Sequence, residues 1–376
     1  MNPLMFYLIF LGVMGLLNLY VYRRLFRQLH FNSATPGLAL TILLFLLQIL
    51  FVLEARSAFL PESPALYYLL SISVGVTVIL FFVSLLYDLL HTIGRRIPYD
   101  QSRRYFIKVI FDSTMLVLAA SYLLNGIFGG LRRPLLNDVS VPIKNFPFER
   151  FKIAQLSDIH IGHTIGADFV RECVERVNAQ KPDMVVLTGD VIDLPIPKIR
   201  RALEELKHLK STHGTFFILG NHEYFRGPEA AVAVMRELGI TVLLNESCRI
   251  GDASAAFNLV GINDLVSRRF GRMPYDIDAA FAEVDPALPT VVLAHQPKTV
   301  QLTGKKAYDL MLSGHTHGGQ IFPFGFLVML NQSYLAGRYD IDERKQIFVS
   351  RGAGYWGPPV RVLAPSEISL LTLRPA

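Results

Sequence analysis

The chain has 376 residues, of which 51% are hydrophobic and 18% charged, and it carries a formal net charge of +6. This is too apolar for an ordinary soluble chain of that length, so part of it is expected to lie in lipid. The basic excess excludes a nucleic-acid partner by its distribution: residues 1–130 hold nine Lys/Arg against five Asp/Glu, whereas residues 131–376 hold 28 against 26. Two cysteines, Cys173 and Cys248, are too few for a disulfide framework or a thiolate zinc site and read as buried free thiols.

Four apolar stretches open the chain, at about 3–22, 35–53, 65–90 and 105–128. Each approaches the roughly 20 residues that a helix needs to cross a bilayer. The connections between them differ in charge. Arg23, Arg24, Arg27 and His30 lie in the first, Glu54, Arg56 and Glu62 in the second, and Arg95, Arg96, Arg103 and Arg104 in the third. By the positive-inside rule the first and third connections are cytoplasmic, so the chain past Gly130 is expected to be extracytoplasmic, although Arg132 and Arg133 weigh against this. Asp88 and Asp112 fall near expected cytoplasmic helix ends, where an acid reaches the interface, and no run of polar residues accompanies them to suggest a transport path.

The stretch SRRYFIK, residues 102–108, leads into the fourth apolar run. It resembles the twin-arginine export signal S-R-R-x-F-L-K, with Ile107 in place of the usual Leu. The resemblance implies that Arg103 and Arg104 engage the twin-arginine translocase of a bacterial cytoplasmic membrane, which moves proteins already folded and metal-loaded. Three apolar stretches precede it, unlike an amino-terminal signal, so the alternative of a plain membrane-edge anchor stays open.

Residues 131–150, with Pro134, Pro142 and Pro147, read as a linker. Beyond them short β-type runs alternate with amphipathic helical stretches. The runs are KIAQLS (152–157), DMVVLT (183–188), TFFIL (215–219), FNLV (257–260), VVLA (291–294), DLMLS (309–313), QIFVS (346–350) and EISLLTL (367–373). Helices are expected over 167–180, 198–210 and 228–238. This alternation argues for an α/β domain over 151–376 following a transmembrane region over 1–130.

Five runs each end in a turn rich in metal-binding side chains: SDIH (Asp158, His160), TGD (Asp190), GNHE (Asn221, His222), AHQP (His295) and SGHTHGG (His315, His317). A lone strand-end Asp or His is ordinarily a cap. Five in succession, using five of the ten histidines, point to a shared cleft at the carboxyl ends of the strands. Imidazole, carboxylate and amide oxygen together suit borderline divalent ions such as Mn, Fe or Zn. Two such ions with two aspartates and a hydroxide would leave a residual positive charge of about +1 facing a phosphate anion.

The order DxH, GD, GNH[DE], H, GHxH resembles the calcineurin-like metallophosphoesterase family over nearly all of residues 150–376. The resemblance implies a four-layer α/β sandwich and a two-metal site, with manganese the favoured ion. Asp158, His160, Asp190 and His317 would hold one ion, and Asp190 would bridge to a second held by Asn221, His295 and His315. His222 would face the substrate and protonate or stabilise the leaving oxygen after in-line attack by a bridging hydroxide. Glu223 stands where many relatives have Asp and would support the turn. In SRGAGYWGPPVR (350–361), Tyr355 and Trp356 could contact the leaving group and Arg351 and Arg361 the phosphate, or the segment could only terminate strands. His163 reads as a surface turn residue, and Gln320 as support for the site. The expected activity is hydrolysis of a phosphodiester or pyrophosphate in a membrane-associated or envelope small molecule, with the lipid bilayer as a further partner. The domain also resembles UDP-diacylglucosamine pyrophosphatases, so cleavage of a lipid A precursor is an alternative, although that substrate is made in the cytoplasm. A non-catalytic metal-binding regulator is a second alternative.

Overall fold

The computed structural model describes residues 3–57, 63–94, 96 and 100–376; Glu62 and Arg95, counted above among the loop charges, lie outside the described residues. The chain divides into two compact units, one comprising residues 1–131 with 357–362 and the other residues 132–356 with 363–376.

In the first unit the apolar runs form four helices, α1 (Pro3–Val21), α2 (Ala34–Ser57), α3 (Pro64–Gly94) and α4 (Gln101–Leu131). All four are long and apolar enough to cross a membrane. Their mutual packing is not purely apolar. Asn18 Nδ2 donates to Gln48 Oε1 at 3.0 Å, Gln48 Nε2 donates to Thr77 Oγ1 at 2.8 Å, and Thr77 Oγ1 donates to Asn18 Oδ1 at 3.2 Å, which links α1, α2 and α3 in one closed ring. Side-chain hydrogen bonds of this kind join helices where hydrocarbon offers no other partner.

Asp112 is fully buried. Its carboxylate pairs with Lys108 Nζ at 2.9 Å and accepts from Tyr87 Oη at 2.8 Å and from the His30 backbone N–H at 2.6 Å. Both carboxylate oxygens therefore have donors, which is what a buried polar group in a low-dielectric interior requires. Asp88 is held by Arg24 at 2.8 Å. Residues 357–362 pack among the same helices: the Arg361 backbone N–H donates to Gly126 O at 2.9 Å, and a Cβ on Gly75 would lie 2.8 Å from Val360.

The second unit is built on two six-stranded mixed sheets. Its strands are β1 (Leu135–Ile143), β2 (Phe151–Leu156), β3 (Met184–Leu187), β4 (Thr215–Phe217), β5 (Thr241–Val242), β6 (Glu246–Gly251), β7 (Ala256–Ile262), β8 (Thr290–Ala294), β9 (Leu310–Ser313), β10 (Gly337–Asp340), β11 (Gln346–Val349) and β12 (Glu367–Pro375). The first sheet has the order β1-β12-β2-β3-β4-β5 and the second β10-β11-β9-β8-β7-β6. Inward side chains of both, among them Ile153, Val186, Phe216, Phe257, Val291 and Phe348, form one fully apolar layer between the sheets. Helices over Ala167–Ala179, Ile196–Glu204 and Pro228–Glu237 cover the outer face of the first sheet, and Tyr308, Met311 and Ile347 belong to the core on the outer face of the second. Four layers result, in agreement with the sandwich that the sequence implies.

The linker expectation changes here. Residues 135–143 are not a linker but the edge strand β1, parallel to β12. Pro142 is compatible with an edge position, where one backbone N–H is not needed by a neighbour.

Candidate metal centre

The strands β2, β3 and β4 are parallel, as are β7, β8 and β9, and the five metal-binding turns follow the carboxyl ends of β2, β3, β4, β8 and β9. Crossing from extended strand to a tight turn in so few residues requires unusual backbone angles. Asp158, His160, Asp190, His315 and His317 all have φ between 51° and 70°, the left-handed region that L-residues with a Cβ rarely occupy. Five such residues at one place cost free energy that packing elsewhere must offset. Close approach is the second requirement. A Cβ on Gly314 would lie 1.9 Å from Ser157 Oγ and 2.2 Å from Asp158 Oδ2, so only glycine lets the β9 turn reach the β2 turn.

The turns bring together two sets of ligand atoms: Asp158, His160 and His317 in one, Asp190, His295 and His315 in the other. Donors bound at about 2.1 Å to a common ion lie roughly 3.0–3.4 Å apart at octahedral or tetrahedral angles. The observed separations fit. His160 Nε2 and His317 Nε2 are 3.0 Å apart, and His317 Nε2 is 3.5 Å from Asp158 Oδ1. In the second set, His295 Nε2 is 3.2 Å from Asp190 Oδ2, 3.2 Å from His315 Nδ1 and 3.1 Å from Asn221 Oδ1. Asp190 Oδ2 also lies 4.0 Å from His160 Nε2, so one carboxylate oxygen stands between the two sets. All seven side chains expected from the sequence as ligands are thus gathered in one place.

Neighbouring groups fix which ring nitrogen faces inward. His295 Nδ1 contacts the Thr188 carbonyl at 2.9 Å and His160 Nδ1 contacts Asp193 Oδ1 at 2.8 Å, leaving each Nε2 lone pair for the centre. The backbone N–H of His315 donates to both Asp158 oxygens at 3.0 and 3.1 Å, and that of His222 to Asp190 Oδ1 at 2.8 Å.

Asp193 was not singled out in the sequence. It completes a third group with His160 and His222, its Oδ1 2.6 Å from His222 Nδ1. Because it faces Nδ1 of His160, it orients that ring with Nε2 toward His317 and Asp190. Three residues beyond the end of the TGD turn it resembles any loop acid; the bridge between Ile161 and Ile192 brings it beside His160.

Charge is distributed unevenly among the protein groups. Burial opposes a cation on His222, yet the carboxylates of Asp190 and Asp193 outweigh it and push its pKa up to about 9. Burial and the neighbouring His295 push His315 down to about 3. Burial also opposes charge on Asp190, but the surrounding imidazoles hold it well below the usual carboxylate range. Asp158, fully enclosed, is raised by burial.

Glu223 is fully buried and ties two turns together. Its carboxylate accepts from the backbone N–H of Gly220 at 2.7 Å, Asp190 at 3.0 Å, Val191 at 2.8 Å and Ile192 at 3.0 Å.

The residues from 350 to 361 separate in the structure. The N–H groups of Ala353 and Gly354 donate to the Ser157 and Asp158 carbonyls at 2.9 Å, so this loop abuts the SDIH turn. Arg351 lays its stem against Gly318, but its guanidinium is taken up by Glu367 at 2.7 Å. Arg361 is almost fully buried and belongs to the helical unit. Tyr355 is half-buried against the first-sheet core, and Trp356 is exposed. Gln320 exchanges two hydrogen bonds with the Trp356 backbone, at 2.9 and 3.0 Å.

Comparison with known proteins agrees with this geometry. Residues 151–319 match the calcineurin-like phosphoesterase family. A metallophosphoesterase of Campylobacter jejuni is 35% identical over 99% of this chain and 98% of its own. One from Helicobacter pylori is 41% identical over 82% of this chain and 83% of its own. A transmembrane protein with a metallophosphoesterase domain from Danio rerio is 30% identical over 98% of this chain and 89% of its own, so the similarity spans the helices as well as the sheets.

Proposed function

Because this chain belongs to the calcineurin-like phosphoesterase family and is a metal-dependent phosphoesterase, we propose that it hydrolyses a phosphodiester or pyrophosphate bond in a membrane-associated or envelope small molecule. The observation that carries the proposal is the place of Asp190 Oδ2, 3.2 Å from His295 and 4.0 Å from His160. In this reading Asp158, His160, Asp190 and His317 hold one divalent ion and Asp190, Asn221, His295 and His315 the other. Two ions, manganese in the first instance and iron or zinc by the same donor set, would supply Lewis-acid polarisation of phosphoryl oxygens and activation of water near neutral pH.

The chain's own groups do the rest. His160 and His295 are held in one tautomer by Asp193 and the Thr188 carbonyl. His222, whose Nδ1 lies 2.6 Å from the Asp193 carboxylate, is placed to donate its proton to the leaving oxygen. Tyr355 and Trp356 border the site through the Ala353–Gly354 contacts and are proposed to meet the leaving group. The full-length protein, purified with Mn, should hydrolyse an aryl phosphodiester, and Asp190→Ala or Asn221→Ala should abolish that turnover. Unchanged turnover in either variant overturns the assignment.

The proposed location is a bacterial cytoplasmic membrane with the catalytic domain extracytoplasmic. A lipid A precursor made in the cytoplasm would need the opposite side, so the two substrates are separable by topology. A cysteine placed near Ala376 should react with an impermeant reagent in intact cells; protection would favour the cytoplasmic substrate.

SRRYFIK is proposed as the export address. The anchor reading has one observation of its own: Lys108 is committed to the buried Asp112, and Phe106, 65% exposed, lies on the helix surface as an ordinary lipid-facing side chain would. Replacing Arg103 and Arg104 by Lys separates the two, since trapping of the domain inside supports export and normal delivery reduces the pair to an anchor.

A further inference from the structure

One segment of the second unit is left uncovered by the rest of its fold. Directly after His317 the chain runs from Gly318 to Gly337 without a single charged residue or histidine. Within it lies the helix Gly325–Gln332, preceded by Phe322 and Phe324. Phe322, Phe324, Phe326, Leu327, Met329 and Leu330 are all exposed, Phe326 at 64% and Leu330 at 85%. Six large apolar side chains exposed within nine residues form a contiguous patch of the kind that soluble surfaces avoid.

The patch is anchored to the metal centre and to the only tryptophan. A Cβ on Gly319 would lie 2.3 Å from Gly325 Cα, so the turn carrying His317 and the exposed helix touch backbone to backbone. On its inner side Gln332 Nε2 donates to Gln296 Oε1 at 3.2 Å, next to His295. Gln320 holds the Trp356 backbone, and the Trp356 side chain is 53% exposed.

Four features choose the occupant. The chain carries four helices able to span a bilayer, so lipid is present wherever the protein is. The segment offers no charge to a protein rim or to a polar ligand. Trp356 immediately precedes in sequence the residues 357–362 that pack among those helices, and Leu363, 76% exposed, immediately follows them. Phenylalanine, leucine and tryptophan are the side chains that settle at the boundary between headgroups and acyl chains.

We propose that Phe322–Leu330, together with Trp356, inserts into the surface of the lipid bilayer. Resting on the phosphoesterase reading above, this makes the substrate an amphiphile whose phosphoester meets the metal centre while its apolar tail remains in lipid.

Trp356 is the one tryptophan of the chain and therefore reports directly. Full-length protein is reconstituted in phosphatidylcholine nanodiscs containing lipids brominated near the headgroup or near the chain end. Interfacial insertion to about 5–10 Å predicts roughly two-fold quenching of Trp356 emission by the shallow bromines and less by the deep ones. In Phe326→Asp with Leu330→Asp, quenching should fall to the level of unbrominated lipid while bound metal is retained. Absence of quenching in the unaltered protein overturns the proposal, whatever the variant does. Quenching that depends on two copies sharing a disc, and vanishes at one copy per disc, assigns the patch to self-association and also overturns it. Hydrolysis of a water-soluble aryl phosphodiester by the unaltered protein is measured in parallel. Its absence would overturn the phosphoesterase reading and leave the docking result standing.

Discussion

The Asp193 carboxylate lies 2.6 Å from His222 Nδ1, and the same oxygen lies 2.8 Å from His160 Nδ1. One carboxylate thus sets the ring of a metal-site histidine and the charge of the histidine proposed as proton donor. Asp193→Asn keeps the shape and removes the charge. It should lower kcat by about 10–100-fold, the usual cost of losing a carboxylate behind a ligating histidine. The sign of the pH effect follows from the raised pKa of His222: with one anion fewer the imidazolium loses its proton at lower pH, so the alkaline limb of the kcat profile should move down. An unmoved limb would mean that Asp193 only shapes the loop.

Glu223 accepts hydrogen bonds from four backbone N–H groups of two turns. Glu223→Ala leaves these donors buried and unpaired, at about 1–3 kcal/mol for each that finds no water. We expect loss of at least about 3 kcal/mol in unfolding free energy. Glu223→Gln should not rescue it, because the amide nitrogen presents a donor to donors. Thermal unfolding and metal stoichiometry of both variants test this, and near-normal stability of the Gln variant would refute it.

Lys108 and Asp112 form a pair inside the helical unit. Lys108→Ala strands a fully buried carboxylate and should destabilise the unit by about 3 kcal/mol, whereas the joint replacement Lys108→Met with Asp112→Leu should cost much less. Unfolding in mild detergent measures both. Equal losses would show that Tyr87 and the His30 N–H, rather than the ion pair, hold the carboxylate.

The metal centre was legible because each ligand stands beside a turn that ends a strongly apolar run, and the order of five such turns is specific. The central strands β3, β8 and β9 were legible for the same reason: they are buried on both faces and read as nearly continuous apolar runs, and β2 keeps that pattern apart from Lys152 and Gln155. Strand β1 was not, since LLNDVSVPI is half exposed at a sheet edge and contains a proline. Asp193 escaped because its role depends on a contact across 33 residues with His160. The packing of the Arg361 backbone was not legible either, since it meets Gly126 and Gly129 of α4, more than 200 residues earlier. Local pattern reports burial and turn chemistry; it does not report which distant element closes over a side chain.

The return of residues 357–362 to the helical unit means that the polypeptide passes between the two units three times rather than once. A protease cutting only in the 131–134 junction would therefore not set the catalytic domain free. The fragment would stay attached through the glycine-lined notch where Val360 and Arg361 meet Gly75, Gly126, Gly129 and Gly130, and shedding would require further cuts near Trp356 and Leu363. Such cuts would leave β12, the second strand of the first sheet, joined to the domain only through its hydrogen-bonded ladders with β1 and β2.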